Sequence, residues 1–170
     1  MQGNRQERRL QKLREALERA MAAPPAEAGL EQAELFFHDH ADLVRGLGEA
    51  LERAGLEEAL QALARHLEED REHWLRRLER IEAQPALRAR RAGLDQDYRD
   101  LLAAHFSRWG AGGVQAERLA ELEAGLALEA LRGALRLWVR GHGRPVLPVL
   151  VQEALALLWP ALYAHARKHC

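Results

Sequence analysis

Residues 145–163 read Pro-Val-Leu-Pro-Val-Leu-Val-Gln-Glu-Ala-Leu-Ala-Leu-Leu-Trp-Pro-Ala-Leu-Tyr. Between Val146 and Tyr163 the only charged or amide side chains are Gln152 and Glu153. At helical spacing one face carries Leu147, Leu150, Val151, Ala154, Leu155, Leu158 and Leu162. The opposite side still carries Val149, Ala156, Leu157, Trp159 and Tyr163. A helix that is apolar nearly all round must be buried on more than one side. In a chain of 170 residues, one side faces the chain's own core. The other is expected to face a partner, because large exposed apolar patches are unusual on monomers. The run reaches about the minimal spanning length of ~18 residues, but its prolines and the adjacent Gln152 and Glu153 argue against a membrane helix.

The preceding helix, expected over 115–140, agrees with this reading. Ala116, Ala120 and Ala124, then Ala130 and Ala134, recur at four-residue spacing with Gly133 nearby. Rows of small residues allow close helix approach. The expectation is a two-fold homodimer in which 115–140 and 145–168 of both subunits form a four-helix bundle. Ala120, Ala130, Ala134 and Trp138, with Leu150, Leu157, Trp159 and Tyr163, are the candidate interface residues.

Composition extends the helical reading to the whole chain. Ala, Leu, Glu and Arg dominate, and all are good helix formers. Ile81 is the only isoleucine, and threonine does not occur. Sheets draw on β-branched residues, so the fold is expected to be all-α. Proline and glycine then divide the chain. A first helix over 4–22, with Leu10, Leu13, Leu17 and Met21, is closed by Pro24-Pro25. A short segment, 27–38, follows; the next helix covers 41–54 and stops near Gly55. A long helix is expected from 56 to about 83, striped by Leu56, Leu60, Leu63, Leu67, Trp74, Leu78 and Ile81 and ended by Pro85. A further helix runs over 86–109, then come the loop Gly110-Ala-Gly-Gly113 and the second loop Gly141-His-Gly143.

The net charge of -1 excludes a strongly basic, histone-like nucleic-acid binder. A single cysteine, Cys170, leaves no disulfide framework and no CxxC zinc pattern, so the chain is expected to be cytoplasmic. Its first residues are polar and hold no apolar run of the signal-peptide kind. The only serine is Ser107, and no P-loop, GxGxxG or GxSxG is present, so no catalytic residue and no cofactor is assigned.

The stretch Leu131-Arg-Gly-Ala-Leu-Arg-Leu-Trp138-Val, a Gly-rich turn, and Pro148-Val-Leu-Val-Gln-Glu-Ala-Leu-Ala-Leu-Leu-Trp-Pro160 resemble the C-terminal half of TetR-family transcriptional regulators. So does the order Arg77, Ile81, Pro85-Ala-Leu, Tyr98, Leu101-Leu-Ala-Ala and Arg108-Trp-Gly110. The resemblance implies a TetR-like helical bundle with a ligand-binding and dimerisation domain over 46–170 and a shortened helix-turn-helix-like head over 1–45. It also implies a pocket for a small apolar ligand between the long middle helix and those that follow. Leu63, Leu67, Asp70 and Trp74, with Leu102, His105, Phe106 and Trp109, are its candidate lining residues.

The head departs from that pattern. Ala28-Gly29-Leu30-Glu-Gln-Ala-Glu-Leu-Phe36-Phe37-His38, followed by Ala41-Asp42-Leu43-Val44, looks like the family's recognition helix and the start of the next one. Yet only fourteen residues separate Met21 from Phe36. Two short helices and a turn need roughly twenty. Residues 26–44 carry Glu27, Glu31, Glu34, Asp39 and Asp42 and no Lys or Arg, which repels a phosphate backbone. Gln32 is the one side chain there suited to a base edge. Arg5, Arg8, Arg9, Lys12 and Arg14 supply the remaining DNA-contact candidates, and they would read phosphate without reading sequence.

A third class of function uses His66, Asp70 and His73; on an unbroken helix Asp70 lies about 40° and His73 about 20° from His66, so all three share one face. With His38, His40 and His105 they suggest a metal-binding bundle. The competing expectation for His66 and His73 is a solvated face salt-bridged to Glu69 and Arg77, and no metal site is assigned. The primary reading is a ligand-responsive TetR-like regulator whose operator binding is electrostatically weakened. The alternative is a TetR-like dimer that binds a small molecule or protein and not DNA.

Overall fold

Proline and glycine set most of the helix boundaries in a computed structural model of the chain. It describes residues 2–23, 30–108 and 112–163, the side chains of 2–5, 30, 31 and 161–163 excepted. The described residues form α1 (Gln2–Ala22), α2 (Leu30–Phe36), α3 (His40–Glu69), α4 (Arg71–Ala83), α5 (Pro85–Ser107), α6 (Val114–Arg140) and α7 (Leu147–Tyr163), and no strand. The all-α expectation is met. Gly55 interrupts α3 with φ 81° and ψ -177°, a backbone state essentially reserved for glycine, so α3 is two helices joined at a bend. Pro85 opens α5 at a position where its missing N–H costs nothing.

One break was not expected. The helix over 56–83 does not run through: α3 ends at Glu69, and Asp70, at φ -118° and ψ 51°, separates it from α4. No proline or glycine marks the spot. Its Oδ2 accepts from Arg14 of α1, so the interruption coincides with the place where α1 docks.

A single hydrophobic cluster joins Leu17 and Met21 of α1, Phe36 of α2, Leu60 and Leu67 of α3, Trp74 of α4, Leu102 of α5, Trp138 of α6 and Val151 of α7. The first two helices therefore pack on the body: a boundary at residue 45 falls inside α3. Ion pairs reinforce the contact. Glu18 reaches His73 Nδ1 at 2.7 Å and Arg76 at 3.1 Å, and Arg80 donates to the carbonyls of Met21 and Ala23. Glu34 of α2 pairs with Arg90 of α5 at 2.9 Å.

α6 lies between α5 and α7 and packs on both. The turn into α7 is held by Gly143 N–H donating to the Trp138 carbonyl at 2.9 Å. Gly143 sits at φ 71°, and a Cβ there would meet Leu75 Cδ1 at 2.7 Å, so the turn seats directly on α4. Two side chains of α3 hold the start of α7: Gln61 donates to the Pro148 carbonyl at 2.9 Å, and Glu68 accepts from the Leu147 N–H at 3.0 Å. Among the described residues no helix is long and apolar enough to cross a membrane.

The small residues of α6 correct the expected interface. Ala120, Ala130, Ala134 and Trp138 are buried within the protomer, Trp138 completely. α6 packs closely on α5 and α7 of its own chain, and its buried alanines allow that approach. On α7, Leu150 and Trp159 are half-buried and Leu157 is 83% exposed; the Tyr163 side chain lies outside the described residues. Exposed large apolar side chains on these two helices include Leu122, Leu126 and Leu137 of α6 and Val149 and Leu157 of α7.

Candidate functional site

A cavity of about 300 Å³ opens among α3, α4, α5 and α6. Its apolar wall is built at helical spacing: Leu63 and Leu67 from α3, Trp74, Leu78 and Ile81 from α4, and Leu128, Leu131, Leu135 and Val139 from α6. Phe37, Asp39, His40 and Leu43 close it from the junction of α2 and α3, and Arg91, Leu94, Asp95 and Tyr98 from α5. A mostly apolar concavity with a few convergent polar groups is the usual form of a small-molecule site.

The polar part is centred on Arg77. This guanidinium is 2% exposed. It donates to both oxygens of Asp39, at 2.8 and 2.6 Å, and to the Phe36 carbonyl, and it stacks 4.5 Å from the Trp74 ring centroid. A guanidinium is tolerated at that depth because it is paired and hydrogen-bonded. Burial would raise the Asp39 carboxyl, but the hydrogen bonds and charge of Arg77 outweigh it, so Asp39 titrates below the usual carboxylate range. Beside it, the Tyr98 ring meets His40 edge-on at 5.2 Å, and His40 Nε2 lies 2.8 Å from Asp97. Burial, then the nearby Asp39 and Asp95 carboxylates, push the Tyr98 phenol up, which keeps it a hydroxyl donor. A second ion pair, Arg132 with Asp95, joins α6 to α5 across the wall.

Leu63, Leu67 and Trp74 stand on this wall as expected. Asp70 does not: it is partly exposed and paired with Arg14. Leu102 is 1% exposed in the core, and His105 and Phe106 pack edge-to-face at 5.7 Å away from the wall. Trp109 lies outside the described residues. The α5 contribution comes instead from about three turns earlier in the helix, at Arg91, Leu94, Asp95 and Tyr98. Their spacing of three, one and three residues was available in the sequence as a face. Arg77 and Asp39 carried no such signal, because the burial of each depends on the other, 38 positions away.

The metal reading also fails at its geometric premise. The break at Asp70 puts His66 and His73 on different helices. His66 lies 4.0 Å from Glu69, His73 is buried against Glu18, and Asp70 faces Arg14. No group of three His, Cys, Asp or Glu suited to a metal ion occurs among the described residues. The flank holding His73 and Arg77 is not solvated as expected, since α1 covers the first and Asp39 the second.

Of the DNA-contact candidates, Arg8, Arg9 and Lys12 are exposed on α1, Arg14 is taken by Asp70, and the Arg5 side chain lies outside the described residues. Gln32 is half-buried on a helix of seven residues. Compared with models of known families, with curated proteins and with solved structures, the chain matches none.

Proposed function

We propose that this chain is a small-molecule-binding helical protein of TetR-like build whose output does not pass through operator recognition by α2. The cavity carries the reading: about 300 Å³ of mostly apolar space with the buried Arg77–Asp39 pair on its wall. A buried ion pair is costly to maintain in apolar surroundings, and here it links the pocket to the carbonyl of Phe36 at the end of α2. A ligand that displaces or tightens Arg77 acts on α2 and, through Glu18 and His73, on α1. Self-association belongs to the same proposal, through the exposed leucines of α6 and α7. The test is binding of a neutral apolar fluorophore, N-phenyl-1-naphthylamine, to the full chain and to Leu94→Trp, which fills the cavity. Saturable binding lost in the variant is expected. Equal binding by both places the dye on the outer surface and sinks the proposal.

A second reading, a ligand-responsive regulator of transcription, is favoured by one observation: Arg8, Arg9 and Lys12 are exposed on adjacent turns of α1. Against it stand α2's length, its acidic residues and the Arg90–Glu34 pair that ties it to α5. Sequence-selective binding to the DNA flanking its own gene, over scrambled DNA and at moderate salt, decides for this reading.

A further inference from the structure

We propose that the pocket takes a compact organic monoanion, an apolar aliphatic or aromatic body bearing one carboxylate. The inference rests on the reading of this cavity as a ligand site and adds the charge of its occupant. Five guanidiniums and three carboxylates stand on the wall. All three carboxylates are engaged: Asp39 by Arg77, Glu82 by Arg91 at 2.7 Å, and Asp95 by Arg132. Glu129, outside the wall, shares Arg132 and lies 3.7 Å from Arg136. Arg140 has no acidic partner among the described residues. A cationic ligand would therefore find no free carboxylate.

Donors, in contrast, are left over. The Nε–H groups of Arg77 and Arg132 are buried with no acceptor. An acceptor of opposite charge makes the stronger, charge-assisted kind of hydrogen bond with a guanidinium. With its three carboxylates engaged, Arg140 unpaired among the described residues and Arg136 held only at 3.7 Å, the wall carries surplus positive charge that one negatively charged acceptor group would balance. The volume, at the low end of small-molecule sites, sets the compact size.

The test is calorimetric titration of the full chain with octanoate, 1-octanol and octylammonium, which share one eight-carbon body and differ in the head. Octanoate is expected to bind about tenfold tighter than octanol, the worth of one charge-assisted hydrogen bond, with octylammonium weakest. Added salt is expected to weaken octanoate more than octanol. The variant Arg136→Gln/Arg140→Gln changes two half-exposed or exposed side chains and is expected to narrow the octanoate preference with an unchanged melting curve. Octanol equal to octanoate, or octylammonium tightest, overturns the anion while the pocket stands. A preference that persists in full in the double variant overturns the role of these arginines. No binding of any of the three, with no dye binding either, removes the pocket reading itself.

Discussion

Arg77 and Asp39 face each other as a two-bonded pair, Nη1 to Oδ2 at 2.8 Å and Nη2 to Oδ1 at 2.6 Å, on the wall of the cavity. Arg77 comes from α4, and Asp39 is the residue just before α3. The pair thus fixes the distance between two walls that are not adjacent in sequence, and at least one of its members is almost out of reach of water.

Removing either member should be costly and removing both less than doubly so. Asp39→Asn leaves a guanidinium buried with no counter-charge, at a cost of about 3–5 kcal/mol. Arg77→Met leaves a carboxylate that is 26% exposed and can draw on water, but frees the Phe36 carbonyl. A double-mutant cycle in urea should return a coupling of roughly 2 kcal/mol. Strict additivity would mean that the pair does not act as a unit.

Acid should weaken the fold in two windows. The folded pKa values of Asp39 and Glu18 are lowered, the first by Arg77 against the effect of burial, the second by the His73 hydrogen bond and Arg76. Their stabilisation is complete above the unfolded carboxylate values of about 3.9 and 4.3 and is lost as pH falls through the folded values. His105 is lowered by burial and by Arg108. The unfolded chain protonates it first, so stability declines as pH falls through about 6.5 and levels off below the folded value. Urea midpoints from pH 8 to 3 should show both declines, and His105→Asn should flatten only the upper one. An unchanged upper decline in that variant would refute the assignment.

Self-association, if it uses the outer leucines, should separate two classes of variant. Leu137→Asn and Leu157→Asn, at exposed positions, should lower the sedimenting mass at fixed concentration with little change in melting temperature. Ala134→Leu should do the opposite, destabilising the protomer by about 1–3 kcal/mol through overpacking between α6 and its neighbours. A wild-type chain that sediments as a monomer at high concentration would set this aside.

What the sequence disclosed depended on whether a signal was local. Gly55, Pro85, Gly113 and Gly141 mark helix ends through their own backbone chemistry, and those ends are where the stripe and punctuation placed them. Leu63, Leu67 and Trp74 were legible as one face. The break at Asp70 was not, because its partner is Arg14 of another helix. Nor was the use of the alanine row: small residues announce a close neighbour without saying whose helix it is. Arg77 looked like one more surface cation because its burial depends on Asp39 and Trp74 together.

The bend at Gly55 carries a consequence for inheritance. Nothing lies within 4 Å of a Cβ built there, so a larger side chain would meet no neighbour. What it would lose is the backbone state itself, φ 81° with ψ -177°, which other residues hold only under strain. Straightening α3 would relieve that strain, and α3 carries cavity-lining residues on both sides of the bend, Leu43 before it and Leu63 and Leu67 after it. The relative placement of these wall residues therefore depends on a position that does not itself line the cavity. A lineage that changed it would be expected to reshape the cavity while every residue on the wall stayed the same.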